Sequence, residues 1–126
     1  MKKRSGNKFI NSFRFAFTGF IETYKHERNM RVHSLMAILV VIAGFFFGIS
    51  LLEWKFIILA ICLVFAAEII NTSIENLVDL VTNEYSEKAR DAKDISAAFV
   101  LIISIVASAI GLVVFIPYII EWIGTL

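Results

Sequence analysis

Apolar residues fall into three long runs, preceded by a segment with a different pattern. Residues 34–52 (SLMAILVVIAGFFFGISLL) carry no charge, and neither do residues 56–67, which lead straight into AEIINTSIENLVDL. Residues 95–120 form the third run. A bilayer span needs about 20 mainly apolar residues. The pattern therefore predicts an all-α membrane protein with spans over about 34–52, 56–80 and 94–120, the first two joined by the short link EWK. No polar region is long enough for a second domain, so residues 1–126 read as one unit.

The opening segment, NKFINSFRFAFTGFIETYKHERN, is patterned rather than uniformly apolar. Ile10, Phe13, Phe17, Phe20 and Tyr24 recur at spacings of three and four, on one helical face. Asn11, Arg14, Thr18, Glu22 and Lys25 fall on the opposite side, and Phe15 breaks the pattern. An apolar-aromatic face opposite a partly basic one predicts an amphipathic helix, over about 5–29, lying in the membrane surface. In the third run Ala97, Leu101, Ser104, Ser108 and Gly111 share a face, mostly of small residues. Small residues let helices approach closely in lipid, so this face is expected to pack, within the protomer or between protomers. Pro117 lies near the end of that helix, where a disturbed backbone costs little.

Composition supports the same class: 59% of the 126 residues are hydrophobic and mean hydropathy is +0.80. Charge adds a direction. Eight of the twelve Lys and Arg lie at or before Arg31, three more are Lys88, Arg90 and Lys93, and EWIGTL has none. The positive-inside rule then puts the N-terminus and second loop in the cytoplasm and the C-terminus outside, with Trp54 and Trp122 at the outer interface. The start lacks the compact apolar core of a signal peptide. Cys62, alone inside a span, reads as packing. Nothing calls for a nucleic-acid partner.

One feature resists the membrane reading. At 100° per residue, Glu68, Asn71, Thr72, Glu75 and Asp79 lie within an arc of about 100°. Glu68 is about 10 Å of helix below Glu75, beneath the headgroups, while Asp79 reaches water. An ionisable group at such depth costs at least a few kcal/mol unless it is neutralised, paired or facing a polar cavity, which makes it a functional candidate. Solvation alone accounts for Asp79 but not for five polar residues on one face. Their oxygen donors suit a hard cation such as Mg²⁺.

YKHERNMRVH adds Glu27, Arg28, Asn29 and Arg31 on the same membrane side, and ARDAKD adds Arg90, Lys93 and Asp94. Acidic residues beside cations point to an Mg²⁺-nucleotide site, although Arg90 and Lys93 serve equally as positive-inside anchors. His26 and His33 have no partner at metal-site spacing and read as interfacial polar residues. The G-x-x-x-x-G-K-[ST], G-x-G-x-x-G and kinase catalytic-loop sequences are absent. The residues alone define a helical membrane protein with a metal-carboxylate site near the cytoplasmic interface.

EIINTSIENLVD, followed after a short loop by EYSEKARDAKD and preceded by HERNMRVH, resembles the small bacterial integral-membrane lipid kinases, diacylglycerol kinase and undecaprenol kinase. The likeness covers nearly the whole chain and is nearer the undecaprenol kinase branch. It implies a homotrimer in the bacterial cell membrane, with active sites shared between protomers. It also implies transfer of the γ-phosphoryl group of MgATP to a lipid alcohol, undecaprenol, or alternatively diacylglycerol to give phosphatidic acid. By the same resemblance Glu68 matches the general base, and Glu27 and Glu75 match the carboxylates that hold the metal. Asn71, Asp79, Lys93 and Asp94 match polar residues around the nucleotide and reacting groups, with Glu84, Tyr85 and Glu87 touching the nucleotide. A proton-coupled transporter is the rival class, since membrane glutamates also serve proton relays. It expects acidic residues at the midplane, whereas this stripe leans to one surface.

Overall fold

The computed structural model describes residues 8–126, so residues 5–7 of the expected surface helix and the basic Lys2, Lys3 and Arg4 lie outside the described residues. Four helices follow one another: α1 (Lys8–His26), α2 (Arg28–Phe47), α3 (Leu51–Val81) and α4 (Glu87–Gly124). No strand occurs among the described residues. Helices α2, α3 and α4 are each long and apolar enough to cross a membrane.

Each chain reversal has a local cause. Glu27 is extended (φ −97°, ψ 120°) and separates α1 from α2. There Arg31 Nη1 donates to the Lys25 carbonyl at 2.8 Å, satisfying one of the carbonyls left open at the end of α1. Helix α2 stops at Phe47 because Gly48 turns left-handed (φ 62°), a conformation that costs glycine nothing. Ser50 then opens α3 with a capping box: Glu53 N–H donates to Ser50 Oγ (3.3 Å) and Ser50 N–H to Glu53 Oε2 (2.7 Å).

The turn thus falls at 48–50, inside the uncharged run, and not at EWK. Glu53, Trp54 and Lys55 belong to the first turn of α3. The second link is short as well, since α4 begins at Glu87, ahead of the span expected over about 94–120.

Helices α3 and α4 run antiparallel and make the main contact of the chain. Ile57, Ala60, Val64, Ala67 and Asn71 form the buried seam of α3, and Ser96, Val100, Val114 and Phe115 that of α4. Lipid supplies no hydrophobic drive between helices, so close approach at Ala60 and Ala67 and the polar contacts at either end carry the association. At one end Tyr118 OH donates to Glu53 Oε2 at 2.7 Å, beside a cluster of Ile49, Ile57, Val114 and Phe115. The small-residue face expected to pack in α4 is not this seam. Ala97 and Leu101 are exposed, while Ser104, Ser108 and Gly111 line an apolar groove between α2, α3 and α4.

At 1.5 Å per residue the 31 residues of α3 span about 46 Å and the 38 of α4 about 57 Å. Both exceed a hydrocarbon core of about 30 Å. Their charged ends, from Glu75 onward in α3 and up to Asp94 in α4, therefore project from the apolar layer as one polar platform. Gly48→Ala keeps the α2–α3 turn but strains it by about 1 kcal/mol, the cost of a Cβ in the left-handed region. A denaturant titration in detergent micelles should show that loss, with activity per folded molecule unchanged; an unaltered midpoint would contradict the turn geometry.

Candidate active site

The stripe on α3 is graded in depth. Glu68 is 1% exposed, Asn71 and Thr72 are buried, Glu75 is half-buried and Asp79 is exposed. Two neighbouring helices supply its partners.

From α4, Ser96 Oγ lies 2.6 Å from Asn71 Oδ1 and 2.8 Å from the Lys93 carbonyl. Asn71 Nδ2 in turn donates to Glu75 Oε1 at 2.9 Å. The direction of this chain is set by chemistry. A carboxylate only accepts, so the Asn71 amide must face Glu75 with its NH₂ and Ser96 with its oxygen. The single Ser96 proton therefore goes to Asn71. The chain orients Glu75, whose second oxygen takes no hydrogen bond among the described residues. Three residues earlier on α4, Lys93 Nζ donates to Asp79 Oδ1 at 2.6 Å, closing the platform above it.

From α2, His33 Nε2 comes within 3.3 Å of Glu68 Oε1. The two are at ion-pair distance without hydrogen-bond alignment, so that buried oxygen has no hydrogen-bond partner among the described residues. His33 had read as an interfacial polar residue; the structure instead sets it against the deepest carboxylate. It also stands at the inner end of the apolar groove, a space of about 530 Å³ that runs along α2, α3 and α4 to Ile119.

Glu27 sits at the corner between α1 and α2, half-buried, and its side chain makes no capping bond. It lines a second cleft, of about 600 Å³, between α1 and α3 with Thr23, His26, Thr72, Ser73 and Asn76. Thr72 Oγ1 is buried there without a hydrogen-bond partner. Among the described residues no three His, Cys, Asp or Glu side chains form a ready-made metal cage. Mg²⁺ needs none: it keeps several waters and takes one or two carboxylates plus substrate phosphates. The free oxygens of Glu27 and Glu75 fit that requirement.

The remaining sequence-derived candidates are peripheral in the single chain. The Asp94 side chain is largely exposed and lies 4.0 Å from Arg90 Nε, not against the stripe. Arg90 Nη1 also donates to Tyr85 OH at 3.4 Å. Glu84 engages Thr82 through its backbone, N–H to Oγ1 at 3.1 Å, and Glu87 lies in the first turn of α4. Ser96 escaped sequence reasoning altogether; its one signal is that it follows Lys93 by three residues and so shares its helical face.

Ser96→Ala should destabilise the chain by about 0.6–1.7 kcal/mol, the range for interhelical hydrogen bonds in lipid, and Ser96→Thr should restore most of it. Equal unfolding midpoints for the wild type and the alanine variant would break the proposed chain of bonds.

Comparison with known proteins supplies the chemistry. A family described as prokaryotic diacylglycerol kinase matches residues 14–115. Undecaprenol kinase of Bacillus subtilis (strain 168) is 40% identical over 88% of this chain and 90% of its own length. Diacylglycerol kinase of Synechocystis sp. is 34% identical over 79% of this chain and 58% of its own length. Diacylglycerol kinase of Haemophilus influenzae is 31% identical over 81% of this chain and 87% of its own length. The transporter expectation does not fit this kinship. With its three apolar helices and its graded polar stripe, the chain belongs to the prokaryotic diacylglycerol kinase family and is a membrane lipid kinase.

Proposed function

We propose that the chain phosphorylates a membrane lipid alcohol from ATP, with undecaprenol as acceptor and undecaprenyl phosphate as product. The observation that carries this reading is the buried Glu68, met by His33 from the inner end of an apolar groove and lying below the polar platform of α3 and α4. The lipid's chain lies in hydrocarbon with its hydroxyl near the headgroups, while ATP approaches from water. Glu68 lies on the lipid side, and Glu75, Asp79 and Lys93 on the nucleotide side. The choice of undecaprenol is supported by the 40% identity to the Bacillus enzyme.

Glu68 takes the hydroxyl proton as the lipid oxygen attacks the γ-phosphorus. The bond from γ-phosphorus to the β,γ-bridging oxygen breaks, and ADP leaves. Catalysis of this kind rests on positioning and charge neutralisation. Glu27 and Glu75 would hold Mg²⁺, which would supply neutralisation of phosphate charge. Asn71 fixes the Glu75 carboxylate, and Lys93, held in place by Asp79, meets the phosphates. Asp94, Glu84, Tyr85 and Glu87 border the nucleotide from the start of α4 and its preceding loop.

The protein acts as a homotrimer with shared sites, an arrangement supported by its kinship with the family. Helix α1 lies in the cytoplasmic surface of the bacterial membrane. The exposed Phe9, Ile10, Phe13 and Phe17 meet lipid, and Phe20 anchors the helix edge-on to Phe65 at 5.8 Å. The N-terminus is then cytoplasmic and the C-terminus external.

Transfer from labelled ATP to undecaprenol and diacylglycerol, offered together in mixed micelles, tests the reading. Undecaprenol should be labelled preferentially, whereas preferential labelling of diacylglycerol keeps the mechanism and overturns the acceptor. Chelating Mg²⁺ should stop transfer and its return should restore it. Glu68→Gln should abolish turnover while sparing MgATP binding, measured with a fluorescent nucleotide analogue; normal turnover would remove Glu68 from the role of base.

A further inference from the structure

His33 links the buried carboxylate to the apolar groove. It stands on the second turn of α2, with Nε2 3.3 Å from Glu68 Oε1, and that oxygen has no other polar contact among the described residues. The same side chain lines the inner end of the apolar groove with Val32, Met36, Val64 and Phe65. A carboxylate so deeply buried needs a donor, since leaving one charge of a buried pair without its partner is strongly destabilising. Among the described residues, His33 is the basic side chain at ion-pair distance from Glu68.

We propose that His33 is a positioning residue for phosphoryl transfer, donating from Nε2–H to Glu68 Oε1 and presenting Oε2 to the hydroxyl of a lipid seated in the groove. The inference rests on the reading of Glu68 as general base. Its geometry follows from donor inventory. Glu68 as a base is an acceptor only, so the ring faces it with a protonated Nε2. One carboxylate oxygen is then fixed and the other is left for the substrate proton. The present 3.3 Å separation, without full alignment, is the loose arrangement common before substrate closes a site. His33 makes no contact with the α1–α3 cleft, so its effect belongs to the lipid half of the reaction.

The test compares His33→Ala, His33→Gln, His33→Leu and Glu68→Gln in mixed micelles, with kcat and both KM values measured and folding followed by denaturant titration. His33→Ala should lower kcat roughly a hundredfold, the low end of what a positioned base contributes. KM for ATP should stay unchanged. Glutamine places an amide NH₂ near the position of Nε2, so His33→Gln should recover most of the loss while His33→Leu, similar in bulk but without a donor, should not. Unchanged kcat in His33→Ala, or a rise in KM for ATP alone, overturns the proposal. So does a leucine variant as active as the glutamine variant, a comparison that holds even if the alanine variant fails to fold. Turnover by Glu68→Gln would instead overturn the base reading. An inactive Glu68→Gln beside a fully active His33→Ala rejects the role of His33 alone.

Discussion

A carboxylate at the depth of Glu68 is the constraint around which the chain is arranged. Burial of a charge in an apolar layer is costly unless a partner or polar cavity receives it. The chain meets that requirement with His33 from α2 on one side and a graded run of polar residues above. That gradient separates the two substrates proposed for the enzyme. In that proposal, lipid reaches the deep end through an apolar groove and nucleotide the shallow end from water. Reversing the order of Glu68 and Glu75 would put the carboxylate proposed to hold metal in hydrocarbon and the proposed base in solvent.

The same bonds hold the helices and shape the site. Since lipid gives no hydrophobic drive between helices, the polar links between α3 and α4 contribute to their pairing. At one end Tyr118 meets Glu53. At the other, Ser96 meets Asn71 and Lys93 meets Asp79. The far link is structural, whereas the near ones also orient Glu75 and hold Lys93. A change at the near end is therefore expected to alter packing and chemistry together.

The three apolar helices were legible because length and hydropathy are nearly sufficient to define them. The polar stripe was legible because its period is that of a helix. The α2–α3 turn was not: Gly48 and Ser50 lie within an uncharged run, and the charges of EWK resemble a link although Glu53 closes a capping box inside the helix. Asp94 read with Lys93 as one motif, but neighbours on a helix point about 100° apart, and only Lys93 faces α3 in this chain. Ser96 and the His33–Glu68 contact depend on the register between helices, which periodicity along a single helix does not encode. In isolation, a serine in ISAA reads as a small packing residue.

Lipid and nucleotide are proposed to reach the stripe from different sides. The most direct measurement is photocrosslinking with a long-chain lipid alcohol carrying a diazirine beside its hydroxyl, followed by peptide mapping. The account predicts labelling at the inner end of the groove, around Met36, Val64 and Phe65, with MgATP analogues failing to compete. Labelling of the α1–α3 cleft around Thr72 and Asn76, displaced by nucleotide, would place both substrates on one side and contradict it.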